Sequence, residues 1–258
     1  MQSVGNIARS SSTFGYATPE EATRICDVCG PVAPTFLKSV NRYVTGTCLC
    51  QRQARAAYEQ RQAAQQRQAA ITATYDWLSG YTIDADEVRV LSSRSFANFD
   101  GTRQPKALES VRDFAETLRG SLVLHGDFGT GKTHLLAALC NDLTARGILC
   151  RFTTAPNLFL AINFHIAQKQ DYSGLIRSAI SAPLLVIDDV DKAKPSEFRE
   201  ECYFKILDSR TTAGRPTAIS TNKLSELATY IGGAGVSRLS IRQIAEEMIG
   251  NDYRKELW

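Results

Sequence analysis

The sequence lacks long hydrophobic runs, and its first residues contain no apolar stretch of the kind found in secretion signals. Nowhere in the 258 residues do roughly eighteen apolar residues follow one another, as a membrane-spanning helix requires. The opening segment, MQSVGNIARSSSTFGYATPEE, is polar and rich in Ser and Thr. We therefore expect a cytoplasmic protein that makes no contact with a membrane.

The chain also lacks a large excess of charge of either sign. Its 30 Lys and Arg residues and 27 Asp and Glu residues leave a net charge of +3. Residues 51–70 alone contain four Arg and one Glu, which amounts to +3, so the remaining chain is balanced. Any binding of nucleic-acid phosphates must then come from a local basic stripe.

The chain has too few cysteines for a disulfide-rich scaffold, and those it has are unevenly distributed. Four of the seven cysteines cluster near the N-terminus: Cys26, Cys29, Cys48 and Cys50. Their spacing, C-x2-C-x18-C-x-C, supplies two pairs of thiolates that suit tetrahedral Zn²⁺, although the second pair is tighter than the usual C-x2-C. Reduced cysteines without a metal are the alternative. The odd total argues against a disulfide framework, and the other three are expected to be small buried hydrophobes: Cys140, Cys150 and Cys202.

Composition divides the sequence into three regions. Residues 1–50 hold the cysteine cluster and are predicted to form a partner-binding module, with a short helix that starts at Thr18. Residues 51–93 are predicted to be a helical linker or arm, because 51–70 contain only Gln, Ala, Arg, one Tyr and one Glu. This helix lacks Leu or Ile at heptad positions, which disfavours a self-associating coiled coil. It could be a solvated linker or an arm that docks on a partner.

Residues 94–258 alternate between strand-like and helix-like stretches. The predicted strands are 121–125, 149–153, 183–188 and 217–221. The predicted helices are 132–145, 156–169, 173–181 and 197–211, with further helix over 236–258. Short, nearly continuous apolar strands that alternate with helices indicate an α/β fold with a parallel sheet covered by helices on both faces.

The segment GDFGTGKT, residues 126–133, fits the phosphate-loop pattern G-x-x-x-x-G-K-[ST] between a strand and a helix. Its glycines let backbone N–H groups form a nest for an anion, and the following helix directs its positive dipole end there. Lys132 would reach the β- and γ-phosphates of ATP, and the Thr133 hydroxyl would bind Mg²⁺. A chance glycine turn is the alternative. The candidate nucleotide contacts are Gly126, Asp127, Phe128, Gly129, Thr130, Gly131, Lys132, Thr133 and His134.

Polar residues follow two of the later strands. Asp188 closes the apolar run LLVI and is expected to hold the magnesium ion through water, while Asp189 could deprotonate the attacking water. The two acids could instead only cap the next helix. Asn222 follows the strand at 217–221 and could sense the γ-phosphate or hold the lytic water, although such a position is often merely a turn.

Two arginines lie near the end of the chain. Arg238 is expected in a helix beyond the sheet, with Arg242 four residues later on the same face. An isolated arginine there would ordinarily be solvated. In an oligomeric ATPase, Arg238 could instead enter the neighbouring active site and neutralise charge on the transferring phosphoryl group.

These motifs resemble those of AAA+ helicase loaders of the DnaC/DnaI type, which share them with the replication initiator DnaA and with IstB-like transposition ATPases. The resemblance covers about 94–258 and is carried by HGDFGTGKTHLLAAL, LLVIDDV, KPSEF, PTAISTN, VSRL and GNDYR. It implies an arginine finger at Arg238 and a second nucleotide sensor at Arg254. It also implies a helical insertion over 156–181 that contacts single-stranded DNA, with Lys169 and Arg177 as basic candidates. Two residues depart from the family: Asp189 replaces a frequent Glu, and Asp191 replaces the usual Gly.

The resemblance implies an oligomeric ATPase switch that loads a hexameric, DnaB-type replicative helicase onto single-stranded DNA, with ATP, Mg²⁺ and Zn²⁺ as cofactors. The N-terminal module and arm would grip the helicase, and hydrolysis would release the loader. The main rival is an IstB-like helper ATPase that assembles on duplex target DNA and assists a transposase. A metabolic P-loop kinase is a third reading, but the sequence has no Arg-rich lid segment after IDDV.

Overall fold

The structure, a computed structural model, describes residues 15–78 and 85–256, with the backbone alone at 254 and 256. The chain divides into two units, 1–66 and 67–258, and each is described by itself. The division falls within the long helix α2, Leu49–Tyr75. This helix contains the predicted helix over 51–70, which is confirmed.

The N-terminal unit is built from one short helix and two small hairpins. Helix α1 is Pro19–Ala22, and the strands are β1 Arg24–Cys26, β2 Gly30–Val32, β3 Thr35–Leu37 and β4 Arg42–Val44. Strands β1 and β2 pair antiparallel, as do β3 and β4. The predicted helix start is confirmed, because the Thr18 hydroxyl accepts from the Glu21 N–H while the Glu21 carboxylate accepts from the Thr18 N–H.

The larger unit is a five-stranded parallel sheet with helices on both faces. Its strands are β5 Ser121–Gly126, β6 Cys150–Thr154, β7 Leu184–Asp188, β8 Thr217–Thr221 and β9 Gln243–Met248, in the spatial order β6-β7-β8-β5-β9. Its helices after α2 are α3 Ala85–Ser92, α4 Pro105–Thr117, α5 Lys132–Ala145, α6 Ala155–Ala167, α7 Ser173–Ser181, α8 Glu197–Thr212 and α9 Leu227–Leu239. The predicted fold class is confirmed.

The sheet separates two apolar cores. Leu122 and Leu124 of β5 point into one core together with side chains of α4 and α5, whereas Val123 points into the other with side chains of α6 to α9. This alternation explains why the central strands read as continuous apolar runs, since both of their faces are buried. Parallel strands also bring their carboxyl ends to one edge of the sheet, where β5, β7 and β8 each lead into a predicted site residue.

The prediction of continued helix over 236–258 is wrong. Helix α9 ends at Leu239, and Gln243–Met248 forms β9, which pairs in parallel with β5 along one side of the sheet. The polar, helix-compatible sequence QIAEEM forms a strand because pairing with the β5 backbone outweighs local propensity. Arg242 adopts a φ of 54° between helix and strand, so it does not share a helical face with Arg238.

None of the helices in the described residues combines the length and the apolar character that crossing a membrane requires.

Candidate nucleotide-binding site

The phosphate loop joins the end of β5 to the start of α5, as predicted. Gly129 and Gly131 have φ values of 71° and 97°, a region that disfavours every other residue. A Cβ on Gly131 would lie 2.7 Å from the Phe99 ring, and one on Gly129 would collide with Asp252. Both glycines are therefore required by backbone conformation and by close packing.

Lys132 lies at the centre of this loop. Its side chain is almost fully buried, and its Nζ donates to the carbonyl oxygens of Gly126, at 2.9 Å, and Asp127, at 2.6 Å. Burial lowers the pKa of the Lys132 ammonium, while the carboxylates of Asp189 and Asp188 oppose that effect. The loop thus holds a cation over its own turn, in the position where a phosphate-binding lysine is needed.

Asp188 and Thr133 are brought together, as the sequence predicts for a magnesium site. The exposed Thr133 hydroxyl donates to Asp188 Oδ2 at 2.6 Å, and the Ser220 hydroxyl donates to the other carboxylate oxygen. Hydroxyl and carboxylate oxygens are the donors that Mg²⁺ prefers, so the pair fits this ion. Sequence reasoning did not find Ser220, which only the pairing of neighbouring strands places beside Asp188.

Burial raises the pKa of Asp188 to about 6, and the nearby charge of Asp189 contributes in the same direction. The native state therefore binds a proton that the unfolded chain releases more readily. The contribution of this group to stability is complete at low pH and is lost as the pH rises through about 6.

We therefore expect Asp188→Asn, free of metal and nucleotide, to gain about 1.4 kcal/mol of stability relative to the original protein between pH 5 and pH 7.5, because about one unit of the pKa shift of Asp188 is lost over that range. Urea unfolding in a chelating buffer at both pH values measures this difference, and Asp113→Asn on the exposed face of α4 is the matched control. A stability difference between Asp188→Asn and the original protein that is the same at both pH values would contradict the raised pKa of Asp188.

Asp189 lies one residue further, in a left-handed conformation with a φ of 53°. Its N–H donates to the Ser220 hydroxyl at 2.8 Å, and its side chain is half-buried at the carboxyl edge of the sheet. A non-glycine residue in this conformation is held there by its surroundings, which is common at functional sites. The structure thus places Asp189 directly after Asp188, where β7 has ended and the backbone has become left-handed.

Asn222 lies at the same edge, and its partner is Asp191. The Asn222 amide donates from Nδ2 to Asp191 Oδ2 at 2.5 Å, and its backbone N–H donates to Oδ1 at 3.3 Å. The Asp191 side chain is only 11 % exposed, and Lys192 lies 3.9 Å from it. The acid that departs from the family pattern therefore orients the predicted sensor, a role that sequence reasoning missed although the departure itself was visible.

Asp191→Ala removes the acceptor that fixes the Asn222 amide. We expect the single-turnover rate of ATP hydrolysis to fall about tenfold or more, because both hydrogen bonds from Asn222 to the charged acceptor are lost, while nucleotide affinity changes less than twofold. Asp191→Asn, which keeps an oxygen acceptor, should recover part of the rate. Faster hydrolysis in the alanine variant would mean instead that Asp191 withholds Asn222 from the reaction.

The other predicted loop residues have mainly structural contacts. Thr130 is buried and donates from Oγ1 to the Asp127 carbonyl at 2.9 Å. The Asp127 carboxylate accepts from the Gly250 N–H at 3.2 Å. Phe128 is 55 % exposed, and Lys192 Nζ lies 4.2 Å from the centroid of its ring. His134 is turned toward residues 95–98, within 2.9 Å of Asn98 Oδ1.

The family comparison adds to this geometry. The sequence profile described as IstB-like ATP binding protein matches residues 36–234, more than half of the chain. The chain belongs to this family.

Individual relatives of this IstB-like ATP-binding protein fall into two groups. The replicative helicase loader DnaC of Escherichia coli is 29 % identical over 57 % of this chain and 63 % of its own length. A Mycobacterium tuberculosis protein, named for ATP binding in an insertion sequence, is 27 % identical over 50 % of this chain and 53 % of its own. The crystal structure of DnaI is 26 % identical with a TM-score of 0.55, and the match covers 62 % of this chain and 94 % of that one. The chain thus spans less than two thirds of the length of DnaC and of the Mycobacterium tuberculosis protein.

Arg238 lies away from the nucleotide loop of its own chain. It belongs to the last turn of α9, and its Nε contacts Asp208 Oδ1 of α8 at 2.8 Å. It lines a cavity with Ser121 and Thr217, which begin β5 and β8, whereas the loop follows the opposite end of β5. A six-residue strand spans about 20 Å, so the structure does not bring Arg238 together with the other predicted site residues.

The remaining predicted residues lie elsewhere. Lys169 is exposed just after α6, and Arg177 is exposed on α7, where it donates to the Ser173 hydroxyl at 2.5 Å. The side chain of Arg254 lies outside the described residues. The backbone next to it is described, and the Tyr253 N–H donates to the Gly129 carbonyl at 3.2 Å, so the C-terminal segment packs on the phosphate loop.

The four N-terminal cysteines converge within their own unit. Their sulfur atoms all lie within 4.8 Å of one another, although the loops that carry them are separated in sequence. Backbone N–H groups of Cys29 and Val28 lower the pKa of Cys26 to about 6, whereas the neighbouring thiols of Cys48 and Cys26 raise the pKa of Cys50. Four convergent thiolates fit Zn²⁺. The three scattered cysteines are buried, as predicted.

We expect purified protein to carry one Zn²⁺ per chain, measurable by elemental analysis. Chelation should loosen residues 15–50, detected as faster amide exchange, without lowering nucleotide affinity, because the phosphate loop belongs to the other unit. Cys26→Ser should lose the metal, and Cys202→Ser should keep it. Protein that contains no zinc after purification without chelators would contradict the prediction.

Proposed function

We propose that this protein is an ATP-hydrolysing, self-assembling loader of a hexameric, DnaB-type replicative helicase onto single-stranded DNA. One observation carries the ATPase part of the proposal: the structure gathers Lys132, Thr133 and Asp188 around an open glycine loop. The relationship to DnaC, whose name is that of a replicative helicase loader, supports the loading role.

Within one chain, the site residues divide the chemical work. The loop N–H groups and Lys132 bind the phosphates of ATP, and Thr133 with Asp188 would hold Mg²⁺. The ion supplies neutralisation of charge on the β- and γ-phosphates. Asp189 accepts the proton of the attacking water, and Asn222, oriented by Asp191, holds that water or the γ-phosphate in line.

Assembly is proposed because the chain's own Arg238 is distant from its own loop. An arginine that neutralises the transferring phosphoryl group must lie within hydrogen-bond distance of it. About a strand length separates the two regions in one chain, so a second copy would have to supply Arg238. ATP would then join two copies, and its hydrolysis would loosen that joint and release the loader.

The N-terminal part is proposed to recognise the helicase. Residues 1–50 would form the zinc-containing module, 51–93 the arm, and 94–258 the AAA+ domain. Helix α2 is long, and its residues 49–60 are almost all exposed, which leaves its surface open to a partner. Single-stranded DNA would be contacted through the exposed Lys169 and Arg177.

A transposition helper ATPase is the second candidate. The insertion-sequence relative from Mycobacterium tuberculosis favours it, and so does the family's name. Such a protein would bind duplex target DNA and a transposase instead of a helicase. The cysteine module would serve a protein partner of either kind, so the relationship to the helicase loader DnaC carries the preference for the loader.

Co-purification in ATP decides between the two functions. We expect the full chain to retain a DnaB-type helicase and to bind single-stranded DNA, with both interactions lost on Lys132→Ala. Asp189→Asn, which should keep ATP bound, should retain the helicase more strongly. ATP-dependent assembly on duplex DNA, with no helicase retained, would reverse the order of the candidates.

A further inference from the structure

A cavity rich in arginine lies at the amino end of the sheet, opposite the phosphate loop. Its volume is about 450 Å³, and it opens beside the first residues of β5 and β8. Four arginines line it: Arg119, Arg215, Arg238 and Arg242. This local excess of positive charge contrasts with the nearly balanced charge of the whole chain, and the composition alone does not reveal it.

Most of this charge is uncompensated. Arg238 contacts Asp208, and Arg215 donates to the Ile180 carbonyl at 3.1 Å. In the part of the chain that the structure describes, no carboxylate pairs with Arg119, Arg215 or Arg242. Guanidinium groups gathered without counter-charges repel one another, and an anionic ligand would relieve that repulsion.

A fifth arginine increases the positive charge behind the cavity. Arg210 is fully buried, and it donates to Thr217 Oγ1 at 2.9 Å and to the carbonyl oxygens of Ala179 and Ala182 at 2.7 and 2.8 Å. Burial, with Arg215 contributing, lowers the pKa of Arg210 to about 9, so it stays charged near neutral pH. A buried positive charge therefore lies behind Thr217, one of the residues that line the cavity.

The backbone holds Arg242 at the cavity in a strained conformation. Its φ of 54° is unfavourable for an arginine, and the Gly120 backbone approaches it so closely that a Cβ on Gly120 would collide with the Arg242 carbonyl. The Ser121 N–H also donates to that carbonyl at 3.4 Å. Strain that neighbouring backbone maintains is characteristic of a position with a function.

We propose that this arginine cavity receives the terminal phosphates of ATP bound by a second copy of the chain, with Arg242 as a phosphate contact beside Arg238. In the absence of that nucleotide, the Asp208 carboxylate forms an ion pair with the Arg238 guanidinium, and the phosphate would displace it. The inference rests on the proposed assembly of the ATPase. It adds Arg242 as a second phosphate contact, and Asp208 as an anion of the same chain that competes with the phosphate for Arg238.

The chemistry of the cavity favours phosphates. Planar guanidinium groups can bind phosphate oxygens through paired hydrogen bonds, and Arg238 already contacts an oxyanion, the Asp208 carboxylate, through its Nε. A DNA strand would require a basic groove that follows several phosphates, whereas these arginines converge on one cavity. The terminal phosphates of a nucleotide fit that convergence.

The test uses the full chain in ATP hydrolysis assays. Arg242→Ala should keep nucleotide affinity within about twofold and lower turnover about tenfold or more, because a charge-assisted contact made to the reacting phosphate is lost. Arg242→Lys should recover only part of the rate, because it keeps the charge without the fork. Arg89→Ala on exposed α3, where Arg89 contacts Asp86, is the matched control and should leave turnover unchanged.

Mixing variants tests whether the contact is made across two copies. Lys132→Ala supplies intact arginines but no bound nucleotide, so adding it to Arg242→Ala should restore turnover. Failure to restore turnover would place Arg242 in its own chain's site and overturn the proposal. If Arg238→Ala loses turnover and is restored by mixing while Arg242→Ala is unaffected, assembly stands and the cavity assignment fails. If neither arginine variant changes turnover, the proposed assembly fails as well.

Asp208 provides a separate measurement. Asp208→Asn removes the competing anion, so turnover at low protein concentration should rise about two- to fivefold, the range expected for a half-exposed ion pair. A fall in turnover as large as that of Arg238→Ala would show that Asp208 orients Arg238. That result would overturn the proposal that Asp208 competes with the phosphate for this arginine.

Discussion

Lys132→Ala is expected to abolish nucleotide binding, which we predict as a loss of at least a hundredfold in ATP affinity. The Nζ atom lies against two carbonyl oxygens of the loop and is almost fully buried, so its charge acts in surroundings of low dielectric. The alanine variant leaves the loop N–H groups in place but removes the only side-chain cation within the GDFGTGKT motif. Equilibrium binding of a fluorescent ATP analogue measures the change.

The matched control is Lys106→Ala, which removes an exposed lysine from the first turn of α4. It should leave affinity unchanged. Thermal unfolding distinguishes lost binding from lost folding, because Lys132→Ala should unfold cooperatively while ATP no longer raises its melting temperature. ATP affinity within a few-fold of the original would rule out the phosphate-loop assignment.

Asp189→Asn is expected to leave ATP bound and to lower its hydrolysis by two orders of magnitude or more, the range for removal of a general base. The neutral amide cannot accept the proton of the attacking water, yet it has nearly the same size as the carboxylate. Nucleotide affinity should stay within about threefold, because Lys132 and the loop N–H groups are unchanged. Single-turnover hydrolysis and equilibrium binding, measured on one preparation, separate the two effects.

Asp189→Glu provides the opposite change at the same position. The added methylene extends the carboxylate toward the bound phosphate, so hydrolysis should equal or exceed that of the original protein. Hydrolysis as slow as that of the asparagine variant would show that the backbone at φ 53° directs the longer side chain away from the water. Undiminished hydrolysis in Asp189→Asn would assign the base to another residue.

Local patterns predicted the elements that carry the nucleotide site. The strand before Gly126, the helix from Lys132 and the strand ending at Asp188 lie where the sequence placed them. These predictions succeeded because a strand buried on both faces must be apolar throughout, and because the phosphate loop depends on backbone conformations that glycine adopts without the strain other residues incur.

Predictions for the C-terminal part failed where pairing overrides local preference. Residues 243–248 place their polar residues at 243, 246 and 247, a spacing compatible with a helix, and their strand conformation arises from hydrogen bonds to β5. Arg242 consequently left the face it was expected to share with Arg238 and entered a cavity that includes Arg119 and Arg215. These arginines, distant from one another in sequence, lie together only because parallel strands align their amino ends.

The sequence by itself determined the parallel α/β fold, the phosphate loop with Lys132 and Thr133, and the positions of Asp188 and Asn222 at the ends of their strands. Each of these depends on local backbone conformation or on the period of apolar residues, both of which are encoded in neighbouring residues. Tertiary structure alone decided that Ser220 supports Asp188, that Asp191 holds Asn222, and that Arg238 lies a strand length from its own loop. Those contacts join residues distant in sequence, and their distances are set by strand order and register, which no short segment specifies.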